Sequence, residues 1–190
     1  MSGYYDLPIE TYLRPPPQGV VRSAYAVEVN PWVRRGDIEA ALLYRGTIVA
    51  SYGYIETRLA ELSVRASRIP IYSERRAKFP YKMKNRISFL RAVFSEGPLS
   101  EYNGIAVSYL KRFEGMAELR HLAAHARMQV LPDWGVVLQY FEPAEKAIAH
   151  QTKRITLKNL EIEAYKAARF SRVTQLLADR LEQTGALPQL

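Results

Sequence analysis

The chain has no cysteine among its 190 residues, which excludes disulfide frameworks, thiolate metal sites and cysteine nucleophiles. Histidine is nearly as scarce, with three copies, at positions 121, 125 and 150. Long apolar runs are missing too. No segment approaches the ~20 apolar residues that would span a membrane, and no basic run followed by an apolar stretch opens the sequence. These absences lead to the expectation of a soluble, cytoplasmic protein with no membrane partner. The ten glycines are dispersed, so no glycine-rich phosphate loop is present, and the scattered Ser and Asp residues form no nucleophile motif.

What is there is an ordinary globular composition, 48% hydrophobic and 24% charged, at a length that suits one domain or one domain with an appended arm. The net charge of +8 sits in one place. Residues 65–91 carry nine basic side chains against the single acid Glu74, while the rest of the chain balances 18 basic against 18 acidic residues. Within that segment Arg75, Arg76, Lys78, Lys82, Lys84 and Arg86 are the candidate nucleic-acid contacts. Tyr72, Phe79 and Tyr81 are interleaved with them, pairing phosphate-neutralising cations with stacking surfaces. A solvated basic loop is the plainer alternative.

Residues 1–35 read as an extended N-terminal arm: Pro8, Pro15, Pro16, Pro17 and Pro31 deny a continuous helix, and Val20–Val29 has the character of a short edge strand. Residues 36–190 form the main domain. A long helix is predicted after Asp37, as N-cap, to about Arg68, with Ile38, Ala41, Ile48, Tyr52, Ile55, Leu59, Leu62 and Ala66 as its buried stripe. Gly46, Ala50, Gly53 and Thr57 make a seam of small residues, predicting close approach of another backbone, from this chain or a second subunit. A shorter helix follows over 83–94, stopping at Gly97-Pro98. Ser100 caps a third helix over 101–127, with Ile105, Tyr109, Phe113, Met116 and Ala123 along one side. Runs at 128–131 and 136–141 flank Pro132-Asp133-Trp134-Gly135, a hairpin signal. Thr156 caps a last helix over 157–183, whose Lys158, Lys166, Arg169, Arg172 and Arg180 alternate with Glu161, Glu163 and Asp179 as a solvated, ion-paired face. The predicted class is mainly α: a helical bundle of three long helices and one shorter helix, with a small β-hairpin before the last.

Two of the three histidines fall in Arg120-His121-Leu122-Ala123-Ala124-His125, near the end of the third helix. Imidazole takes and gives protons near neutral pH, and a guanidinium suits phosphate. His121 and His125 are four apart and share a helix face, with Arg120 about 140° around the axis from His125. The plain structural reading is a helix end whose histidines cap carbonyls or pair with Glu114 or Glu118. A zinc pair at this spacing would need Glu114, Glu118 or His150 as a third ligand. With no cysteine, and no Glu directly after the first histidine, no metal and no cofactor are expected.

The stretch 118–126 resembles the helix-terminal Arg-Asn-x-x-Ala-His-Gly of the HEPN (higher eukaryotes and prokaryotes nucleotide-binding) domain superfamily, in its form with four residues between Arg and His. Here His121 stands at the Asn position and Ala126 at the Gly position, and Ile55-Glu56 followed by Leu59 is similar to a Leu/Ile-Glu step in the family's first helix. The resemblance covers roughly 37–184. It implies a metal-independent endoribonuclease, usually homodimeric, with Arg120 and His125 as catalytic pair and His121 as a second proton carrier or orienting donor. RNA or a nucleotide is then the expected partner, and there is room for a protein inhibitor. Toxin–antitoxin, phage-defence and housekeeping settings all stay open. So does a non-catalytic reading, in which an RNA- or nucleotide-binding accessory or regulatory subunit uses residues 65–91 alone.

Overall fold

The apolar stripe over 38–66 winds into one helix, α1 (Arg35–Ala66), in a computed structural model that describes residues 28–29, 33–73, 82–132, 135–144 and 147–188. Ile38, Ala41, Ile48, Tyr52, Ile55, Leu59 and Ala66 are all buried and Leu62 is half-buried, so threes and fours in the sequence became a core face. The helix begins before Asp37. The Asp37 amide already bonds to the Arg34 carbonyl (3.0 Å), so this residue is not the N-cap but an acid in the first turn, favoured by the helix dipole.

After the four-residue helix α2 (Pro70–Ser73), helix α3 spans Met83–Ser95, and a 3-10 turn follows over Gly97–Tyr102, with Ser100 inside it. The predicted third helix is two. Helix α4 (Asn103–Gly115) and helix α5 (Ala117–His125) are separated at Met116, which has φ −97° and ψ 0°. Its carbonyl accepts both the Tyr52 hydroxyl (3.2 Å) and the Arg120 amide (3.2 Å). A tertiary hydrogen bond therefore holds the break. Ile105, expected in the buried stripe, is 65% exposed; Ala106, Tyr109, Leu110 and Phe113 are the buried residues of α4.

The hairpin forms and extends. Strands β2 (Arg127–Leu131), β3 (Gly135–Ala144) and β4 (Ala147–Ile155) make an antiparallel meander, with Met128 opposite Leu138 and Val136 opposite Ile155. Strand β1 (Glu28–Val29) adds to it in parallel, against Gln129 and Val130, and the predicted arm before it lies outside the described residues. Strand β4 escaped prediction because Ala-Ile-Ala-His-Gln-Thr-Lys-Arg-Ile shows little apolar alternation, as suits the edge of a sheet paired on one side only. Gly135 enters β3 at φ +95°, where a Cβ would lie 2.6 Å from the Ile155 carbonyl oxygen, so both conformation and space require glycine. Helix α6 (Leu157–Gln183) is capped as expected: the Asn159 amide donates to Thr156 Oγ1 (3.1 Å).

The described chain divides into two compact units. In one, formed by the chain up to Gly46 with His125–Glu163, the sheet buries Met128, Val130, Leu131, Val136, Val137 and Leu138. The other, Thr47–Ala124 with Ala164–Leu190, is the helical bundle. In that bundle Arg58 meets Gln175 (3.3 Å) and Arg65 meets Glu182 (2.5 Å), so α1 and α6 run parallel there. Tyr109 stacks on Phe170, with ring centroids 4.8 Å apart, and its hydroxyl pairs with Thr174 Oγ1 (2.6 Å). Among the described residues the seam of small residues does not meet another backbone. Gly46, Ala50, Gly53 and Thr57 are exposed, and a Cβ added at Gly46 or Gly53 would meet nothing within 4 Å among the described residues.

Tyr72 is fully buried, donating its hydroxyl to the Glu96 carbonyl (2.6 Å) and accepting from the Leu99 amide (3.2 Å). Tyr72→Phe leaves both backbone groups short of a partner and is expected to cost about 1–3 kcal/mol. Urea denaturation measures this, and an unchanged midpoint would show that these hydrogen bonds carry no stability.

Candidate functional site

Helix α5 is short, at nine residues, so isolated it would be marginal, and tertiary packing must hold it. Leu122 and Ala123 seat it, at 1% and 3% exposure. Tyr52 ties its start through Met116, and one turn further along both helices Glu56 of α1 reaches Arg120: Oε1 lies 2.5 Å from Nη2. The pair is close, but its angles are not those of an aligned hydrogen bond, and the Arg120 side chain remains 39% exposed. Part of the guanidinium therefore still faces solvent. On the same helix His121 and His125 are both exposed.

Arg86, from the basic segment, comes to the same place. Its Nη1 donates to the backbone carbonyl of Glu56 (3.2 Å), so residues far apart in sequence, Arg86 and Arg120, converge on one glutamate of α1. Glu56 stands out in the sequence only as the acid after Ile55; its role as the meeting point is a tertiary fact.

The rest of the basic segment divides. Arg65 is 9% exposed and committed to Glu182 and the Pro188 carbonyl, and Arg91 pairs with Glu114. These two hold the bundle together rather than face a ligand. Tyr72, expected as a stacking surface, is buried and unavailable. Arg75, Arg76 and Lys78, with Phe79 and Tyr81, lie outside the described residues. Lys82 and Lys84 are exposed at the start of α3, whose first turn contains no acid and whose N-cap, Lys82, makes no side-chain capping bond. Cations at a helix N-terminus oppose the macrodipole, so this end of α3 gives up stability in keeping them.

One further cation escaped the sequence reading. Arg45 of α1 donates from Nη2 to the carbonyl of Ala126 (2.9 Å), the residue directly after His125. Ala126 is 3% exposed, and burial pushes the Arg45 guanidinium below its ordinary pKa. Nothing in the sequence marks a contact across 81 positions. Among the described residues no three His, Asp or Glu side chains gather into a metal-ligand group.

No family model, no curated protein sequence and no solved structure matches this chain.

The cationic start of α3 makes a prediction. Lys82→Asp supplies an N-cap oxygen and a favourable charge, and is expected to raise stability by about 1 kcal/mol. Thermal denaturation measures this, and an unchanged or lower midpoint would show that the lysine costs this helix nothing.

Proposed function

We propose that this protein is a metal-independent endoribonuclease of the HEPN type, acting as a homodimer whose Arg120 and His125 handle the scissile phosphate. One observation carries the reading: Glu56 anchors Arg120 on the short helix that displays His121 and His125 to solvent, and the basic segment reaches the same glutamate through Arg86.

The chemistry follows from what each group can do. Attack of a ribose 2′-OH on the adjacent phosphate needs a base for the hydroxyl proton, an acid for the departing 5′-oxygen and a cation for the charge that develops. His125 moves a proton, His121 carries or orients a second, and Arg120 meets the phosphate. Held at its rear by Glu56, the Arg120 guanidinium needs little reorganisation when charge develops. Exposed imidazoles on one helix cannot by themselves exclude water. A second copy facing them would supply that wall and a second set of the same groups. Lys82 and Lys84 neutralise neighbouring phosphates along the strand.

A second reading is favoured by a specific observation. Arg120 is already partnered by a carboxylate, as an arginine serving only the fold would be. On that reading the exposed lysines bind RNA or a nucleotide without cleaving it, and the protein is an accessory or regulatory subunit.

The test is cleavage of end-labelled RNA in excess EDTA, with products scanned for cyclic phosphate ends. His125→Ala is expected to lose about 10²- to 10⁴-fold in rate while remaining folded. Undiminished cleavage by that variant would end the proposed chemistry, and RNA bound but intact with wild-type protein would establish the binding reading. Glu56→Gln separates the two roles of Arg120. It is expected to cost about 1 kcal/mol or less, because both partners are partly solvated, to tighten RNA binding by removing a negative charge, and to slow cleavage. Faster cleavage in this variant would mean that Glu56 restrains Arg120 rather than orients it.

A further inference from the structure

Ala126 is the single residue between the last turn of α5 and the first residue of β2. Its place in the chain creates a particular problem. The last carbonyls of a helix have no partner within the helix, and a strand's ladder begins only with its own first residue. On the strand side Arg127 is already in register with Gln139 and Met128 with Leu138, so the chain is fixed immediately after Ala126. On the helix side stands His125, whose backbone would share any fraying of the helix end.

Arg45 fills that gap. It projects from α1 between Ala41 and Ile48, both fully buried, so its own backbone is held by the core. From there Nη2 reaches the Ala126 carbonyl at 2.9 Å. A cation at this spot also complements the negative end of the α5 dipole. The bond is made to the backbone, one residue from the imidazole, where it fixes the peptide without occupying a ring nitrogen.

We infer that Arg45 is a positioning residue for His125: by holding the Ala126 carbonyl it fixes the end of α5 and thereby the direction in which the His125 imidazole is presented. The inference rests on the ribonuclease reading for its effect on rate, and on the geometry alone for its effect on the imidazole. Positioning acts on the reacting geometry, so its loss lowers kcat and leaves the lysine-borne affinity for RNA in place.

The experiment compares wild type, Arg45→Ala and Arg45→Lys in the full chain, each checked for folding by circular dichroism. Rates are measured on labelled RNA in EDTA, and the imidazole resonances of His121 and His125 are followed by NMR. Arg45→Ala is expected to reduce kcat about 10- to 100-fold with KM within about twofold, and Arg45→Lys, which keeps the charge and a donor, to recover part of the loss. It is also expected to shift or broaden the His125 resonances and to leave those of His121 in place. A folded Arg45→Ala protein with kcat within about twofold of wild type, or with its whole loss in KM, overturns the inference. If wild type cleaves nothing, the ribonuclease reading has failed on its own account, and the resonances decide: a selective change at His125 sustains the positioning role, and no change refutes it. Should Arg45→Ala fail to fold, Arg45→Lys carries the same two readouts.

Discussion

A single buried hydroxyl sets the course of the chain through the candidate site. Tyr52 packs its ring near Phe113, with centroids 6.2 Å apart, and spends its hydroxyl on the carbonyl of Met116. That carbonyl is where α4 stops and α5 starts. Without the tie, the pattern from Glu101 to Arg127 reads as one helix, and a continuous helix would carry Arg120 and both histidines elsewhere. One turn beyond Tyr52 on α1 is Glu56, and one turn beyond Met116 on α5 is Arg120, so the hydroxyl tie and the ion pair share a spacing and reinforce each other. The short helix is marginal by itself and is stabilised by this attachment to a long one.

The charge of the chain is then divided by what each cation is near. Arg65 and Arg91 find acids on other helices, Arg86 and Arg120 gather at Glu56, and Lys82 and Lys84 stay at the surface of a helix start that electrostatics would rather see acidic. Partly exposed ion pairs contribute little stability, commonly about 1 kcal/mol or less each. Their value here is directional. Arg65, held by both Glu182 and the Pro188 carbonyl, fastens the chain after α6 to α1, and Glu56 draws the Arg120 guanidinium toward α1. The lysines at α3, by contrast, make no ion pair among the described residues.

The seam on α1 shows that a local signal does not name its partner. Small residues at 46, 50, 53 and 57 lie on one face, as their spacing requires, yet among the described residues that face is exposed. The opposite face is buried from Ile38 to Ala66 except at Leu62, which is half-buried.

Periodicity by itself determined the mainly α class, the stripe of α1, the Thr156 cap of α6 and the first hairpin, because these depend on residues within a turn or two of one another. The hexapeptide was visible too, as the one concentration of histidine, and so was the segment holding the excess charge. What the sequence could not determine was which of those charges would be spent on the fold. Arg65 and Lys82 look alike in one dimension, and only the approach of Glu182 to the first separates them. The break at Met116, the convergence of Arg86 and Arg120 on Glu56, and the hold of Arg45 on Ala126 join residues 30 or more positions apart in every case, through hydrogen bonds and ion pairs that leave no periodic trace. Such pairs are decided by how the helices pack, and packing is decided by the whole core.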